Sequence, residues 1–293
     1  MKKFLILLIC VALIFTFITQ KASKNLSFIN VDFDKLCSAI AIQYKKDESI
    51  TRLMTYNVLS DGIGFDGMAI ETREDNFIRL IASVKPDVMC LQEANSTWQK
   101  VIAEKSSYKC TNPIKTRLSF LMTAIFYNPQ TVTPIKSDFF AYREGIDSRL
   151  RSYNWCLFQR KGTNSRFIVI NTHLSLFEKN ARYPINQSKE LVDFYNYLKK
   201  TYNCNIYLMG DFNTKSRTDE TENASVYEYL NLNLSNTLKL AKNVSYAFCS
   251  DAENNPNDYI FSTPSAKVEG YVLLSSPHLN ILSDHYPVFI DVS

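Results

Sequence analysis

A series of short apolar runs ends or begins on residues able to do chemistry, and this pattern limits the fold more than any other feature. The clearest run is Ile206 to Met209, which has the length and composition of a buried strand. Gly210 then lets the backbone turn sharply. Asp211 and Asn213 follow with one residue between them, so in an extended segment their side chains point to the same side. That pair suits a water molecule, because Asp211 can accept its proton while Asn213 holds its oxygen. An Asx turn after a strand uses the same residue types, so the stretch Tyr207 to Thr214 alone leaves both readings open.

The other runs repeat the pattern. Ile50 to Val58 reads as the first strand and carries Asn57 near its end. Asp87 to Gln92 is a second, with Glu93 directly behind it. Phe167 to Thr172 ends in His173. Asn257-Asp258 opens a late strand, and Asp284-His285 stand just before the last, Val288 to Val292. Ala124 to Tyr127 and Tyr153 to Gln159 are further strands, and the region between them up to Leu150 reads as irregular. Phe77, Leu80, Ile81 and Val84 share one helix face, with a cap-like start at Thr72 and Asp75 and a stop at Pro86. Trp98 to Ala103, the face Leu191, Phe194, Tyr195 and Leu198, and Val226 to Leu230 mark more helices. Gly62, Gly64 and Gly67 fall in one loop, which reads as mobile or close to a ligand. Strands alternate with helices early and cluster late, and no Pro- or Ser-rich linker intervenes. The expectation is one layered α/β domain over residues 50–293, with strand ends gathered on one rim where ligands bind.

The amino terminus carries a different signal. Lys2 and Lys3 precede the apolar run Phe4 to Ile18, the order of an export signal. Residues 1–23 fit a cleaved signal peptide or a retained membrane anchor, so the expected location is outside the cell, secreted or membrane-anchored. Residues 24–49 form a lead-in, in which Phe33, Leu36, Cys37 and Ile40 have the spacing of one helix face. The net charge of +4 comes without a dense basic tract, so charge alone establishes no nucleic-acid partner. The even set Cys37, Cys90, Cys110, Cys156, Cys204 and Cys249 permits disulfides in an exported chain. Cys90 and Cys156, inside apolar runs, read as buried thiols.

The residue types at the strand ends fit phosphate-ester hydrolysis. A carboxylate such as Glu93, helped by the amide oxygen of Asn57, suits Mg²⁺, with Mn²⁺ an alternative. A histidine held protonated by a carboxylate can donate to a phosphoryl oxygen. A GxSxG nucleophile motif is absent from the sequence.

Six segments together carry a family resemblance: Thr55-Tyr56-Asn57-Val58, Leu91-Gln92-Glu93, Asn171-Thr172-His173-Leu174, Gly210-Asp211-Phe212-Asn213, Asp258-Tyr259-Ile260-Phe261 and Ser283-Asp284-His285-Tyr286-Pro287-Val288. In this order the chain resembles the endonuclease/exonuclease/phosphatase superfamily over nearly all of residues 50–293. The resemblance implies a DNase I-like, four-layer α/β/β/α sandwich of two mixed β-sheets flanked by helices. It implies Glu93 as the main Mg²⁺ ligand with Asn57 beside it, and Asp284 as a second carboxylate on the metal side. Asp211 would activate water and Asn213 position it. His285 would act on the scissile phosphate, oriented by Asp258, and His173 would support phosphate binding. Many members carry Arg shortly before the late-strand Asp, where this chain has Asn257, so that phosphate contact is either lost or supplied by Arg149 or Arg151. The implied substrate is a phosphate ester: nucleic acid, a phospholipid head group or a small phosphate ester. The chain is expected to be a monomer, with its amino terminus as the route to a membrane. Two alternatives accompany this reading. One is a sphingomyelinase-like phospholipid phosphodiesterase, with Phe139-Phe140 as its candidate aromatic hairpin. The other is a catalytically silent binding protein on the same fold.

Overall fold

A computed structural model describes residues 32–60, 69–112, 122–144, 151–176, 182–214, 223–247 and 257–293. The amino-terminal apolar run, the glycine loop, Arg149 and Cys249 lie outside the described residues. The chain divides into two compact units, residues 1–45 and 46–293. In the first, helix α1 covers 32–43, and Phe33, Leu36, Cys37 and Ile40 are its buried residues. Among the described residues no helix is long and apolar enough to cross a membrane.

The second unit is built on two mixed sheets. One has the order β10 (Asn243–Ala247), β12 (Val268–Leu274), β13 (Val288–Val292), β1 (Thr51–Asn57), β2 (Val88–Gln92), β4 (Ala124–Tyr127), β3 (Lys109–Cys110). The other has the order β5 (Val132–Ala141), β6 (Ser152–Arg160), β7 (Arg166–His173), β8 (Asn205–Asp211), β11 (Asp258–Ser262), β9 (Ser235–Asn236). Alternation along each strand assigns the faces. Leu53, Val88, Cys90, Val169, Met209, Ile260 and Ile290 share the core between the sheets. Ile168, Ile170, Ile206, Leu208 and Phe261 point the other way, against Leu191, Tyr195 and Leu198 of α4 (Arg182–Thr201) and Leu230 of α5 (Asn223–Asn233). On the outer face of the first sheet, Tyr56 stacks on Phe77 of α2 (Ile70–Val84), which meets Trp98 of α3 (Ser96–Lys105). The four layers are those the resemblance implies.

The same period of two that buries the core governs the strand ends. Asn57 follows Leu53 and Thr55 on the inner face, Asp211 follows Tyr207 and Met209, and His173 follows Val169 and Asn171. One step below these ends lies a polar layer. Gln92 Nε2 donates to Asn171 Oδ1 at 2.7 Å and to Thr55 Oγ1 at 3.1 Å. Asn171 Nδ2 donates to the carbonyls of Leu91 and Ala124, both at 3.0 Å. Buried amides survive only when bonded, and these bonds tie the two sheets directly beneath the rim.

Three local expectations are corrected. The region before Leu150 is not irregular throughout, because β5 occupies Val132–Ala141. It is an edge strand whose half-exposed side chains and Pro134 hide its periodicity. Phe139 and Phe140 lie within it, and Phe140 packs on Tyr153 and Phe194, so the pair is not an exposed hairpin tip. Helix α2 starts at Ile70 with Ala69 as its N-cap and without a side-chain cap, so Thr72 and Asp75 do not cap it. Cys90 and Cys156 are buried and free, as are Cys37, Cys110 and Cys204 free.

Gly210 has φ of +153°, and a Cβ there would lie 2.0 Å from the Thr172 carbonyl oxygen of β7. Glycine therefore permits the close β7–β8 approach that sets His173 beside Asp211. Gly210→Ala is expected to cost about 3 kcal/mol or more, from backbone strain and overpacking combined. Chemical denaturation of the variant against the parent checks it; equal midpoints would contradict the close-approach role.

Candidate active site

Strand register brings the second sheet's chemistry into one row. His173 of β7 pairs with Asp211 of β8 in parallel register, and Asp211 pairs with Asp258 of β11 in antiparallel register. From the first sheet, Asn57 of β1 pairs with Gln92 of β2, which places Glu93 next to Asn57. The segment leading into β13 supplies His285. The two sheets thus face each other across the site with Asn57 and Glu93 on one side and His173, Asp211 and Asp258 on the other.

The contacts follow from this placement. His285 Nδ1 lies 2.6 Å from Asp258 Oδ2, and its Nε2 lies 3.7 Å from Asp211 Oδ2. His173 Nε2 lies 3.3 Å from the same Asp211 oxygen. Asn57 Nδ2 bridges Asp211 Oδ2 at 3.0 Å and Glu93 Oε1 at 3.2 Å. Its own Oδ1 accepts the Leu59 N–H at 3.1 Å, so Asn57 turns its NH₂, not its oxygen, toward Glu93. Glu93 Oε2 accepts from the Ser60 N–H and hydroxyl. Asn213 N–H donates to Asp211 Oδ1, while its Nδ2 donates to the Leu174 carbonyl, which leaves the amide oxygen as its acceptor. Asp284 is exposed at the rim, 3.3 Å from the Ser283 hydroxyl.

Backbone strain concentrates here. The described non-glycine residues with positive φ are Leu59, Lys85, Glu93 and Asn213. Lys85 closes helix α2; the other three line the site. Such conformations persist where the surroundings over-determine them, often at functional sites.

Charge is arranged as sharply. Burial opposes the charged form of His285, but Asp258 and Asp211 outweigh it and raise its pKa to about 10. Burial pushes Asp258 up to about 6 against the pull of His285, so the pair is ionised at neutral pH. His173 is driven below its ordinary value by burial and then by Arg151, and stays neutral with Nε2–H toward Asp211. Burial also opposes ionisation of Asp211, yet the histidines and the Asn57 amide hold its carboxyl well below the usual range. Because His173 is neutral, the charge facing Asp211 is that of His285. For Glu93, burial opposes ionisation, but the Ser60 N–H and the Asn57 amide, with His173 adding to them only when protonated, outweigh it and lower its pKa. The pocket thus presents three ionised carboxylates, Glu93, Asp211 and Asp258, and one imidazolium.

Arg151 is half-buried immediately before β6, whose first residue, Ser152, pairs with His173. Its charge is felt at His173. Arg73 of α2, which the motifs do not mark, is buried and donates to the carbonyls of Val58, Leu59 and Leu282. An arginine placed among the apolar positions of a helix was its only sequence signal.

The family model described as "Endonuclease/Exonuclease/phosphatase family" matches residues 54–285. The chain belongs to this family. Members of the family are phosphoesterase hydrolases, and all six resemblance segments begin within the matched span. Solved structures share the fold. A mannosyl-6-phosphatase of Bacteroides thetaiotaomicron is 18% identical, with TM-score 0.68, covering 83% of this chain and 99% of that one. The human Nocturnin catalytic domain with bound sulfate is 21% identical, with TM-score 0.60, covering 83% and 94%. D. rerio TDP2 complexed with single-strand DNA product is 17% identical, with TM-score 0.58, covering 84% and 99%. At these identities the likeness is one of fold. A search of curated proteins returned no match.

Proposed function

We propose that this family member is an exported, metal-dependent phosphoesterase that cleaves a phosphate ester by direct attack of water. The observation that carries the proposal is the position of His285, 2.6 Å from Asp258 and 3.7 Å from Asp211. It sets a held imidazolium beside an ionised carboxylate.

The donors fit Mg²⁺. Glu93 offers a half-buried carboxylate kept ionised, Asp284 a second at the rim, and hard oxygens with room for water are what Mg²⁺ selects. Once bound there, Mg²⁺ would neutralise phosphate charge and stabilise the leaving oxygen. Asn57 keeps Glu93 and Asp211 at a fixed separation through its NH₂. Asp211, its Oδ2 held by Asn57 Nδ2 and His173 Nε2 and its Oδ1 accepting from Asn213 N–H, orients the attacking water and receives its proton. The lowered pKa of Asp211 makes it an orienting acceptor more than a strong base, which suits a loose phosphoryl-transfer transition state that needs little base assistance. His285 donates from Nε2 to a phosphoryl oxygen and offsets charge growing there. Arg151, whose charge is felt at His173, would add a phosphate contact there.

Export rests on Lys2, Lys3 and the apolar run that follows. Structural neighbours include a sugar phosphatase and a DNA-bound protein, so both monoester and diester substrates enter the test. A panel of plasmid DNA, RNA, sphingomyelin, an inositol phosphate and a sugar phosphate, each with Mg²⁺ or excess chelator, decides the matter. Metal-dependent cleavage of one class is expected; the proposal is wrong if none is cleaved, or if chelator leaves turnover undiminished.

A further inference from the structure

The residue the motifs left unmarked, Arg73, stands at the centre of the site's support. The backbone leaving β1 is irregular, and Leu59 has a left-handed φ of +53°. A leucine has no side-chain bond with which to hold that conformation, and L-residues avoid it. Here its carbonyl accepts two side-chain donors, Arg73 Nη2 at 2.7 Å and Trp98 Nε1 at 3.0 Å. Trp98 also lies under the guanidinium, 5.1 Å from ring centroid to Cζ. Both side chains are buried, at 1% exposure each. Arg73 Nη1 donates to Val58 O at 2.8 Å and to the Leu282 carbonyl, so one guanidinium joins the exit of β1 to the segment that carries His285. Ser283 makes a second tie, its hydroxyl donating to Asn57 O at 2.7 Å and accepting from the His285 N–H.

The held conformation aims the catalytic groups. Leu59 N–H fixes Asn57 Oδ1, which turns the Asn57 NH₂ toward Glu93 and Asp211. The next residue, Ser60, donates N–H and Oγ–H to Glu93 Oε2. If Leu59 relaxes to negative φ, the Ser60 peptide swings away and both bonds to Glu93 go with it.

We infer that Arg73 and Trp98 are positioning residues that hold Leu59 in its left-handed conformation and thereby set Asn57, Glu93 and the His285 segment for catalysis. The inference rests on the phosphoesterase proposal for its kinetic consequences, but not for its structural ones. Arg73→Lys keeps the charge and removes the planar fork that reaches three carbonyls. Trp98→Phe keeps a ring and removes one donor. Leu59→Gly removes the cost of positive φ.

The test combines amide hydrogen exchange on metal-free protein with steady-state kinetics. In Arg73→Lys, exchange at Leu59 and Ser60 should quicken about tenfold, the scale of the left-handed penalty, while Leu80 and Ile81 of α2 keep their rates. kcat should fall by about tenfold or more with KM within about threefold, as for an interaction used in the transition state, and half-saturation should need more Mg²⁺. Adding Leu59→Gly to Arg73→Lys should recover part of kcat and slow Ser60 exchange again. The inference is overturned if Arg73→Lys quickens exchange evenly across the protein or lowers the melting temperature with kcat unchanged. It is equally overturned if Leu59→Gly deepens the loss. Should Arg73→Lys fail to fold, Trp98→Phe decides: about fivefold faster exchange at Leu59 and Ser60, for one lost hydrogen bond, supports it, and unchanged exchange there overturns it. If the parent cleaves nothing in the panel, the phosphoesterase proposal falls, while exchange at Leu59 and Ser60 still decides the clamp.

Discussion

His285→Ala is expected to lower turnover by about 10²–10⁴, the range for a positioned proton-transfer group, or about 2.7–5.4 kcal/mol of transition-state stabilisation. The expectation follows from where its two ring nitrogens point. Nδ1 is committed to Asp258 at 2.6 Å, and Nε2 faces the space beside Asp211. The side chain is 16% exposed, so truncation opens onto the pocket and not into the core. Asp258 loses its partner, but its raised pKa lets it take a proton and remain neutral when buried alone. The melting temperature should therefore move little. A purely structural pair would behave oppositely and lose stability before rate. Steady-state kinetics and a thermal melt on the same preparation separate the two, and a folded His285→Ala variant as active as the parent would refute the proposed mechanism.

Glu93→Ala should remove most activity, a loss of about 10³-fold or more, because a metal held there supplies several kcal/mol of charge stabilisation. Glu93 is held by Asn57 Nδ2, Ser60 N–H and Ser60 Oγ, and these bonds fix both carboxylate oxygens. Its removal leaves the Asn57 amide still bonded to Asp211, and the half-exposed position it vacates lets water reach the buried Ser60 donors, so the fold should survive. Alanine also accepts the φ of +56° at this position no worse than glutamate does. Calorimetry with Mg²⁺ should show binding to the parent and none to the variant. If Glu93→Ala retains parental turnover, or binds Mg²⁺ equally well, the metal does not sit on Glu93.

Much of this site was legible in the sequence because each part is local. Asp211 and Asn213 are two residues apart, and Asn57, Glu93 and His173 each stand at the end of an apolar run. The resemblance then placed Asp258 and His285 in the same pocket, and the structure brings them within hydrogen-bond distance. Arg73 was not legible. Its function depends on three carbonyls from segments far apart in the chain, and such a meeting has no local pattern. The inter-sheet bond between Gln92 and Asn171 stayed hidden for the same reason, although both residues sit in quoted motifs. Strand β5 escaped because an edge strand exposes side chains on both faces and loses its alternation. Strand β12 carries Gly270 and a register shift near Val268, which break its apolar run. The orientation of Asn57 is a finding of geometry alone, since an amide can offer oxygen or nitrogen and only the Leu59 N–H decides which.

The central claim is that Asp258 keeps His285 protonated for work on a phosphate, and the pH dependence of kcat/KM in the parent and in Asp258→Asn tests it most directly. That quantity reports groups of the free enzyme. His285 acts when charged and its pKa is raised, so activity should persist through neutral pH and fall as the pH rises through about 10. In Asp258→Asn the amide no longer favours the imidazolium, while burial still opposes it. The alkaline limb should then move to lower pH by more than a unit, with its slope unchanged. An alkaline limb that stays in place in Asp258→Asn, or a parent whose activity needs His285 neutral and rises with pH, would contradict the account.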